Sequence, residues 1–267
     1  MTIKTILLTG DDGYKSIGTR LLVHALRDHY ELAIAGTLTQ QSSVGGYISI
    51  GEGGGWGEDE VDGVKALWVD GHPVDAMECA QAYFSEQFDL VLSGINLGAN
   101  VSASFITSGT MAAAARAITL GLAPRSIAMS WQCPPNLWRG VHDGEEDMTP
   151  YLDYPAKISK SILELAMSHE FWGAPFLNVN FPSKAGSRVR MTQFLPDVKE
   201  YYKYPLIMDR STMRFTYPIA FADKVSHDPH YDTGAMASGY ISITPRQRDI
   251  LDRDIYDTYR KETYHVA

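Results

Sequence analysis

The sequence predicts an α/β fold whose parallel sheet is covered by helices on both faces. Segments typical of strands and of helices alternate along the first 130 residues, which is the pattern of βαβ units. The strand segments are almost continuously apolar, as expected for a sheet that is buried on both sides. With 267 residues, 45% of them hydrophobic, the chain is long enough to bury the core that such a sheet requires.

The predicted strands are short apolar runs bounded by glycine, proline or charged residues. In chain order they are 3–10, 31–36, 64–69, 88–94, 126–131, 176–182 and 239–245. The segment 49–62, between the second and the third strand, is rich in glycine and acidic residues. We therefore expect an exposed loop or hairpin tip there.

The predicted helices carry apolar residues three and four positions apart, which places these residues on one face. In the first helix, 16–30, that face contains Ile17, Leu21 and Leu22. The second begins with a proline in its first turn, where the missing N–H would be unpaired anyway. The remaining helices are expected at 73–86, 108–120 and 155–170, and a long loop at 132–154.

Beyond the last core strand the chain becomes aromatic and irregular, which predicts an appended β-rich region at 183–245 and a polar amphipathic helix at about 247–264. We therefore predict two parts, a core over 1–182 and an appendage over 183–267 whose strand at 239–245 packs back on the core. Exposed aromatic surface often marks an interface, so the appendage and its helix predict a homodimer or homotetramer.

The formal net charge of −9 argues against a nucleic-acid polymer as partner, since binding a phosphate backbone requires a basic surface. A small phosphorylated ligand is compatible with this charge, because backbone N–H groups, a helix N-terminus and a metal ion can hold it. No apolar stretch reaches the ~18–20 residues of a membrane span, and residues 1–4 do not have the pattern of a signal peptide, so we do not expect secretion. With only two cysteines, the sequence predicts a cytoplasmic protein with no membrane partner.

Two adjacent carboxylates, Asp11 and Asp12, follow the first predicted strand. In parallel α/β sheets, ligands bind at this carboxyl edge. Adjacent like charges repel unless a divalent cation lies between them, and carboxylate oxygens suit Mg²⁺ or Mn²⁺. The alternative is a plain βα turn in which Gly13 supplies the turn and one aspartate caps the helix that begins at Ser16.

Polar residues also follow the fourth predicted strand and open the third predicted helix. Asn96 and Asn100 could bind a hard cation through oxygen or donate to phosphate through NH₂, although asparagine also fills left-handed loop positions. Ser108, Gly109 and Thr110 place free N–H groups at a helix N-terminus, which can bind an anion, although a plain serine cap has the same pattern.

The remaining motifs restrict the kinds of site that the sequence supports. The loop "TQQSSVGGY" (39–47) could add the hydroxyl of Ser42 or Ser43 to a metal shell, but by itself it is only a polar loop. The eight histidines form no HExxH pattern, and the sequence contains no GxSxG, GxxxxGK[ST] or GxGxxG. Zinc-site, serine-hydrolase, P-loop and dinucleotide-binding interpretations therefore lose their main support.

Taken together, seven stretches resemble the SurE family of survival-protein nucleotidases and follow in family order over most of the chain. They are "ILLTGDDGYKSIG" (6–18), "QSSVGGYISI" (41–50), "GHPVDAMECA" (71–80), "FDLVLSGINLGANV" (88–101), "SGTMAAA" (108–114), "LNVNFP" (177–182) and "GYISITP" (239–245). The resemblance implies a Rossmann-like three-layer core, with a β-rich appendage and a C-terminal helix used in oligomerisation. It also implies a divalent-metal phosphatase that hydrolyses nucleoside 5′- and 3′-monophosphates.

The resemblance also assigns roles by position. The residues at metal-ligand positions, for one Mg²⁺ or Mn²⁺ ion, are Asp11, Asp12, Ser42 and Asn96. The residues at phosphate-binding positions are Asn100, Ser108, Gly109 and Thr110. The residues that would be catalytic are Asp11, Asp12 and Asn100.

The sequence departs from the family pattern close to these residues. Gly10 stands where the family usually has asparagine, Arg116 and Ala117 stand where Glu-Gly is common, and the segment after Pro182 lacks the family's arginines. A 5′/3′-nucleotidase is the leading interpretation. The departures leave open a diverged phosphatase acting on another phosphorylated metabolite, or a catalytically silent homologue that binds metal or nucleotide.

Overall fold

The computed structural model describes residues 2–138, 140, 142–169, 174–201, 206–217, 227–247, 256–258 and 260. These residues form an α/β fold with one nine-stranded, mostly parallel mixed sheet and a separate two-stranded sheet, which confirms the predicted class. The strands are β1 (Thr5–Thr9), β2 (Glu31–Thr37), β3 (Trp56–Val61), β4 (Val64–Val69), β5 (Leu90–Leu97), β6 (Ser126–Trp131), β7 (Phe176–Phe181), β8 (Val189–Met191), β9 (Ile207–Asp209), β10 (Arg214–Thr216) and β11 (Ile241–Arg246).

The large sheet has the strand order β3-β4-β2-β1-β5-β6-β7-β11-β8. Strands β4, β2, β1, β5, β6 and β7 run parallel, while β3 pairs antiparallel with β4 and β11 pairs antiparallel with β7. The central strands β1 and β5 are almost entirely buried, as their continuous apolar runs predict. Their carboxyl ends lie side by side because the two strands are adjacent and parallel.

Helices cover both faces of this sheet and give it three layers. The helices are α1 (Ile17–Leu26), α2 (Pro73–Tyr83), α3 (Gly109–Leu120), α4 (Pro135–Trp138), α5 (Lys157–Ser168) and α6 (Asp232–Ala237). Helices α1 and α5 pack on one face through a cluster that includes Leu21 and Leu163. On the opposite face α2 and α3 pack together through Met77, Ala113 and Ala117.

The structure adds elements to two segments, one predicted to be an exposed loop or hairpin tip and the other a long loop. The segment 49–62 contains β3, and most residues of this strand alternate between exposed and half-buried. Strand β3 pairs with β4 around a turn at Asp62 and Gly63. Both turn residues have positive φ, +50° and +84°, as a tight hairpin turn requires. The segment 132–154 contains α4 and further short helical turns.

The region beyond the last parallel strand contributes to both sheets. Strands β8 and β11 extend the nine-stranded sheet, with β11 lying between β7 and β8. Strands β9 and β10 form the two-stranded sheet. Most of the helix expected at 247–264 lies outside the described residues, and the division into 1–182 and 183–267 stays a prediction. No helix in the described ranges is both long and apolar enough to cross a membrane.

Candidate active site

The two adjacent carboxylates lie at the carboxyl edge of the sheet, directly after β1. Asp11 and Asp12 are both only 4% exposed. Asn96 lies in the neighbouring strand β5, which continues to Leu97 and is therefore three residues longer at this end than the sequence pattern predicts. Helix α3 begins beside this edge, so three of the stretches singled out in the sequence meet at one place.

Asp11 faces the first turn of α3. The Thr110 hydroxyl donates a hydrogen bond of 2.5 Å to Asp11 Oδ1. Gly109 lies so close that a Cβ atom added to it would stand 2.9 Å from both Cβ and Oδ2 of Asp11. Ser108 is the N-cap residue, and its Oγ accepts the Met111 N–H at 3.1 Å. The positive end of the α3 dipole is therefore beside Asp11.

Asp12 is held by backbone and side-chain donors from two other elements. Its Oδ2 accepts the Leu97 N–H at 2.7 Å, and its Oδ1 accepts the Gln40 side-chain amide at 2.9 Å. Gln40 lies in the loop that contains Ser42, and Gln41 N–H in the same loop donates to the Asp11 carbonyl at 2.6 Å. Ser42 itself is exposed, and in the described chain no hydrogen bond joins it to either aspartate.

The burial of two adjacent carboxylates has a large electrostatic cost. Burial, and secondly the negative charge of Asp12, raise the pKa of Asp11 to about 7, against the opposing hydrogen bond from Thr110. Burial likewise raises the pKa of Asp12, although the hydrogen bonds from Leu97 and Gln40 act in the other direction. A cation bound between the two carboxylates would remove this cost, because it compensates both negative charges.

Asn100 is fixed by a network that reaches across the sheet. Its NH₂ group donates to Thr110 Oγ1 at 3.3 Å and to Ser130 Oγ at 2.9 Å. Its backbone N–H donates to Asn180 Oδ1 at 2.8 Å, and its carbonyl accepts from the amides of Asn178 and Asn180 at 2.9 and 3.0 Å. Asn100 and Thr110 thus form a hydrogen-bonded chain that ends at Asp11.

Asn178 and Asn180 hold the backbone of Asn100 in place, and our sequence interpretation did not single them out. Both are fully buried in β7, in the stretch "FLNVNF". Two asparagines at alternate positions of an otherwise apolar strand are a usable signal, because a buried amide requires hydrogen-bond partners. Gln40, by contrast, has no such signal in its polar loop.

The side-chain atoms at the Asp pair that could bind a cation are oxygen atoms. Among the described residues, no group of three or more His, Cys, Asp or Glu side chains could hold a metal ion. A cation at the pair would therefore need amide, hydroxyl or water oxygens in addition. Asn96 uses its NH₂ group to donate to the Gly98 carbonyl at 2.7 Å, which leaves its side-chain oxygen as the candidate ligand.

Comparison with known proteins identifies relatives over most of the chain. The family model "Survival protein SurE" matches residues 6–203. A protein of Methanopyrus kandleri named "5'-nucleotidase SurE" is 32% identical over 268 residues, which covers 96% of this chain and 97% of that protein. A protein of Archaeoglobus fulgidus with the same name is 30% identical, with 92% of each chain covered.

A solved structure shows the same fold. The crystal structure of the SurE protein from Aquifex aeolicus superposes with a TM-score of 0.73 at 25% sequence identity, and the match covers 96% of this chain and 98% of that one. The matched stretch of 6–203 contains every residue of the candidate site described above. The chain therefore belongs to the SurE family.

Proposed function

We propose that the chain is a divalent-metal-dependent phosphomonoesterase that hydrolyses nucleoside 5′- and 3′-monophosphates. The observation that carries the proposal is the buried pair Asp11 and Asp12 facing the N-terminus of α3 through Gly109 and Thr110. The pair offers a site for a cation and the helix N-terminus a site for an anion, side by side. The name "5'-nucleotidase" of the relatives supports nucleoside monophosphates as the substrate class.

The residues present fit a hard divalent cation. Asp11, Asp12 and Asn96 would hold Mg²⁺ or Mn²⁺ through oxygen, and Ser42 would complete the shell if its loop closes over the pair. When bound, such an ion supplies Lewis-acid polarisation of a phosphoryl oxygen and a water of lowered pKa. The raised pKa of Asp11 supports this assignment, since it reports a buried carboxylate whose negative charge lacks compensation.

The chain's own residues would position the phosphoryl group. The N–H groups at the start of α3, capped by Ser108, point at the place next to Asp11 where phosphoryl oxygens would lie. Behind this place Asn100 donates to Thr110, and Thr110 donates to Asp11, so both donors would turn to the phosphoryl group when it binds. Donors aimed at the phosphoryl oxygens in this way would stabilise the charge on the equatorial oxygens in the transition state.

The departure from the family pattern at Arg116 does not add an unbalanced charge. Arg116 forms an ion pair with Glu78 of the neighbouring helix α2, and both side chains are more than a third exposed. The positive charge is thus compensated within the α2–α3 layer. The structure also leaves room at Gly10, where an added Cβ would be 3.6 Å from its nearest neighbour, an ordinary van der Waals distance.

The test is phosphate release from a panel of phosphate monoesters. With Mg²⁺ or Mn²⁺ we expect release from nucleoside 5′- and 3′-monophosphates, and complete loss of release after EDTA that excess metal then restores. Sugar phosphates and the mononucleotides are compared at equal concentration. Turnover of sugar phosphates alone would establish the diverged-phosphatase alternative, and no turnover of any ester would establish the silent-homologue alternative.

We also propose that the two-stranded sheet mediates assembly into a homodimer or homotetramer, as part of an oligomerising appendage over 183–267. Large apolar side chains of this sheet and of the residue after it are exposed: Met208 by 71%, Phe215 by 61% and Tyr217, directly after β10, by 63%. Apolar area of this kind is stabilised by contact with a second surface. The double substitution Met208→Ser and Phe215→Ser should lower the mass measured by sedimentation velocity. Ile50→Ser, in the segment between β2 and β3, changes an apolar residue that is 82% exposed and should leave the mass unchanged. An unchanged mass in the double variant would contradict this role.

A further inference from the structure

An exposed tyrosine lies beside the candidate site, and the function proposed so far does not use it. Tyr47 belongs to the loop 38–55 between β2 and β3, the loop that also carries Gln40 and Ser42. Its side chain is 51% exposed. Exposed apolar surface is a common feature of ligand-binding grooves, so the contacts that hold this ring indicate what it could bind.

Both ends of the segment 42–48 are anchored by hydrogen bonds of the residues that flank it. On the side of the Asp pair, the Gln41 N–H donates to the Asp11 carbonyl at 2.6 Å. On the side of α2, the N–H and the hydroxyl of Ser49 donate to the two carboxylate oxygens of Asp75 at 3.0 and 2.7 Å. The segment therefore runs from the Asp pair to the first turn of α2.

The middle of this segment is pressed against the start of α3. The Gly45 N–H donates to the Thr107 carbonyl at 2.9 Å, directly before the N-cap residue Ser108. Gly45 has a φ of +59°, and a Cβ atom added to it would stand 2.9 Å from the Ile106 carbonyl oxygen. Glycine suits both this backbone conformation and so close an approach. The backbone two residues before Tyr47 is thereby fixed beside the N-terminus of α3.

The ring of Tyr47 lies beside the N-terminus of α2. It contacts the ring of His72, the N-cap residue of α2, with the centroids 4.5 Å apart and the planes at 72°. The next residue, Pro73, borders the candidate site, because its Cγ and Asp11 Oδ2 each lie 2.9 Å from the place of an added Cβ at Gly109. These two atoms are therefore at most twice this distance apart. The exposed tyrosine ring thus stands at the border of the proposed anion site.

We propose that Tyr47 is a specificity-determining residue of this site and that its exposed ring stacks on the base of a nucleoside monophosphate. The inference rests on the proposed phosphomonoesterase function. With the phosphoryl group at the start of α3, the nucleoside has to extend outward, because the sheet edge beneath the phosphoryl group is buried. The segment 42–48 and the start of α2 border that outward path, and Tyr47 is the exposed aromatic ring on it.

Stacking on a fixed ring predicts a particular kind of specificity. Every base has a flat π-face, so stacking favours nucleotides over esters without a base but selects weakly among the bases. The contact with His72 and the anchored backbone hold the ring in place before the substrate arrives. Little side-chain freedom is then lost on binding, which favours affinity.

The test compares two esters that differ only by the base. Ribose 5-phosphate has the ribose and the phosphate of adenosine 5′-monophosphate but no base. For Tyr47→Ala, with Mn²⁺ present, we expect kcat/KM on adenosine 5′-monophosphate to fall about 5- to 150-fold, the contribution of stacking one base on an aromatic side chain. The loss should lie in KM, because the base is remote from the reacting atoms. Both kcat/KM on ribose 5-phosphate and inhibition by inorganic phosphate should stay unchanged, which also shows that the variant is folded.

Control variants separate stacking from an effect on the loop. Tyr47→Phe keeps the ring and should retain the wild-type kcat/KM on adenosine 5′-monophosphate. His72→Ala removes the ring that Tyr47 contacts and should produce the same selective loss, smaller in size. Tyr256→Ala removes an equally exposed ring, 50% accessible, in the C-terminal region and should change neither ester. For Tyr47→Ala, the 5′-monophosphates of guanosine, cytidine and uridine should show losses in the same range as that of adenosine.

The possible outcomes distinguish this inference from the function on which it rests. An equal loss on both esters in Tyr47→Ala, a loss confined to kcat, or no loss on adenosine 5′-monophosphate would overturn the stacking role. A wild type with the same kcat/KM on both esters would also overturn it, and would leave the phosphomonoesterase function standing. A wild type that releases phosphate from neither ester would overturn the proposed function, and this inference with it.

Discussion

Asp11→Asn is expected to abolish phosphate release and, at the same time, to stabilise the metal-free protein. Activity is lost because one of two carboxylates that would hold the cation is removed, and with it the charge that binds a divalent ion. Stability is gained because the buried charge is removed. A variant that is inactive but melts at a higher temperature distinguishes a functional role from a structural one.

The expected stabilisation depends on pH in a defined direction. The pKa of Asp11 is raised from 3.8 to about 7 in the folded chain, so the unfolded chain loses this proton at a lower pH than the folded chain does. The stability of the metal-free wild type should therefore fall as the pH rises from about 4 to about 7, by a few kcal/mol. In EDTA, the melting temperature of Asp11→Asn should exceed that of the wild type more at pH 8 than at pH 5.

Asp12→Asn should differ from Asp11→Asn in its effect on stability. Both oxygens of Asp12 accept N–H groups, one from Leu97 and one from Gln40. The NH₂ group of an asparagine at this position would face one of those donors, so Asp12→Asn should be inactive without being stabilised. Asp28→Asn, which removes an exposed carboxylate, is the matched control for net charge. Phosphate release at the wild-type rate by both Asp11→Asn and Asp12→Asn would contradict the metal assignment.

The effect of Mn²⁺ on the melting temperature tests whether the ion binds at Asp11. Ligand binding to the folded state raises its stability in proportion to the logarithm of ligand concentration over Kd. The wild type should therefore gain melting temperature from Mn²⁺, whereas Asp11→Asn should not. A Mn²⁺-induced shift that is equal in the two proteins would place the ion somewhere other than at Asp11.

The pattern of apolar residues predicted the buried strands and helices of the fold well. A strand buried on both faces, for example, appears in the sequence as a continuous apolar run. The strand at 126–131 has the predicted bounds, and the third helix begins one residue later than expected. Helix α1 ends at Leu26 rather than at residue 30, because the polar residues after it form a turn. The edge strand β3 was predicted less well, since one face of it is exposed and its sequence is that of a polar loop.

The candidate site could be predicted where residues are adjacent in sequence and not where they meet through tertiary contacts. Asp11 and Asp12 are neighbours at a strand end, a position that sequence alone identifies. The contact of Gln40 with Asp12, and those of Asn178 and Asn180 with Asn100, depend on how distant segments of the chain pack together. Ser42 illustrates the limit, since its motif matches the family while its side chain is exposed and makes no hydrogen bond to the pair.

Gly109→Ala is expected to inactivate the protein by a purely steric route. A Cβ atom at position 109 would stand 2.9 Å from Cβ and from Oδ2 of Asp11, and 2.9 Å from Cγ of Pro73 at the start of α2. Contacts this short do not persist, so α3 would shift away from β1 or the Asp11 side chain would rotate. Either movement separates Asp11 from Thr110 and from the positive end of α3.

Helix propensity predicts the opposite effect of Gly109→Ala on stability, so the sign of the change in melting temperature is informative. Alanine is a better helix former than glycine by up to about 1 kcal/mol, so propensity alone would make Gly109→Ala more stable. Overpacking costs about 1–3 kcal/mol, and a displacement of about 1 Å in a reacting group can cost about 10²-fold in rate. We therefore expect a lower melting temperature and a loss of kcat of about 10²-fold or more.

The matched control is Gly46→Ala, in the loop that carries Ser42. A Cβ added there has only Ala112 Cβ within 4 Å, at 3.9 Å, so this change should leave melting temperature and kcat close to those of the wild type. Thermal melting and phosphate release are measured on both variants. If Gly109→Ala were more stable than the wild type and equally active, α3 would not be pressed against Asp11, and the anion site beside the Asp pair would have to be abandoned.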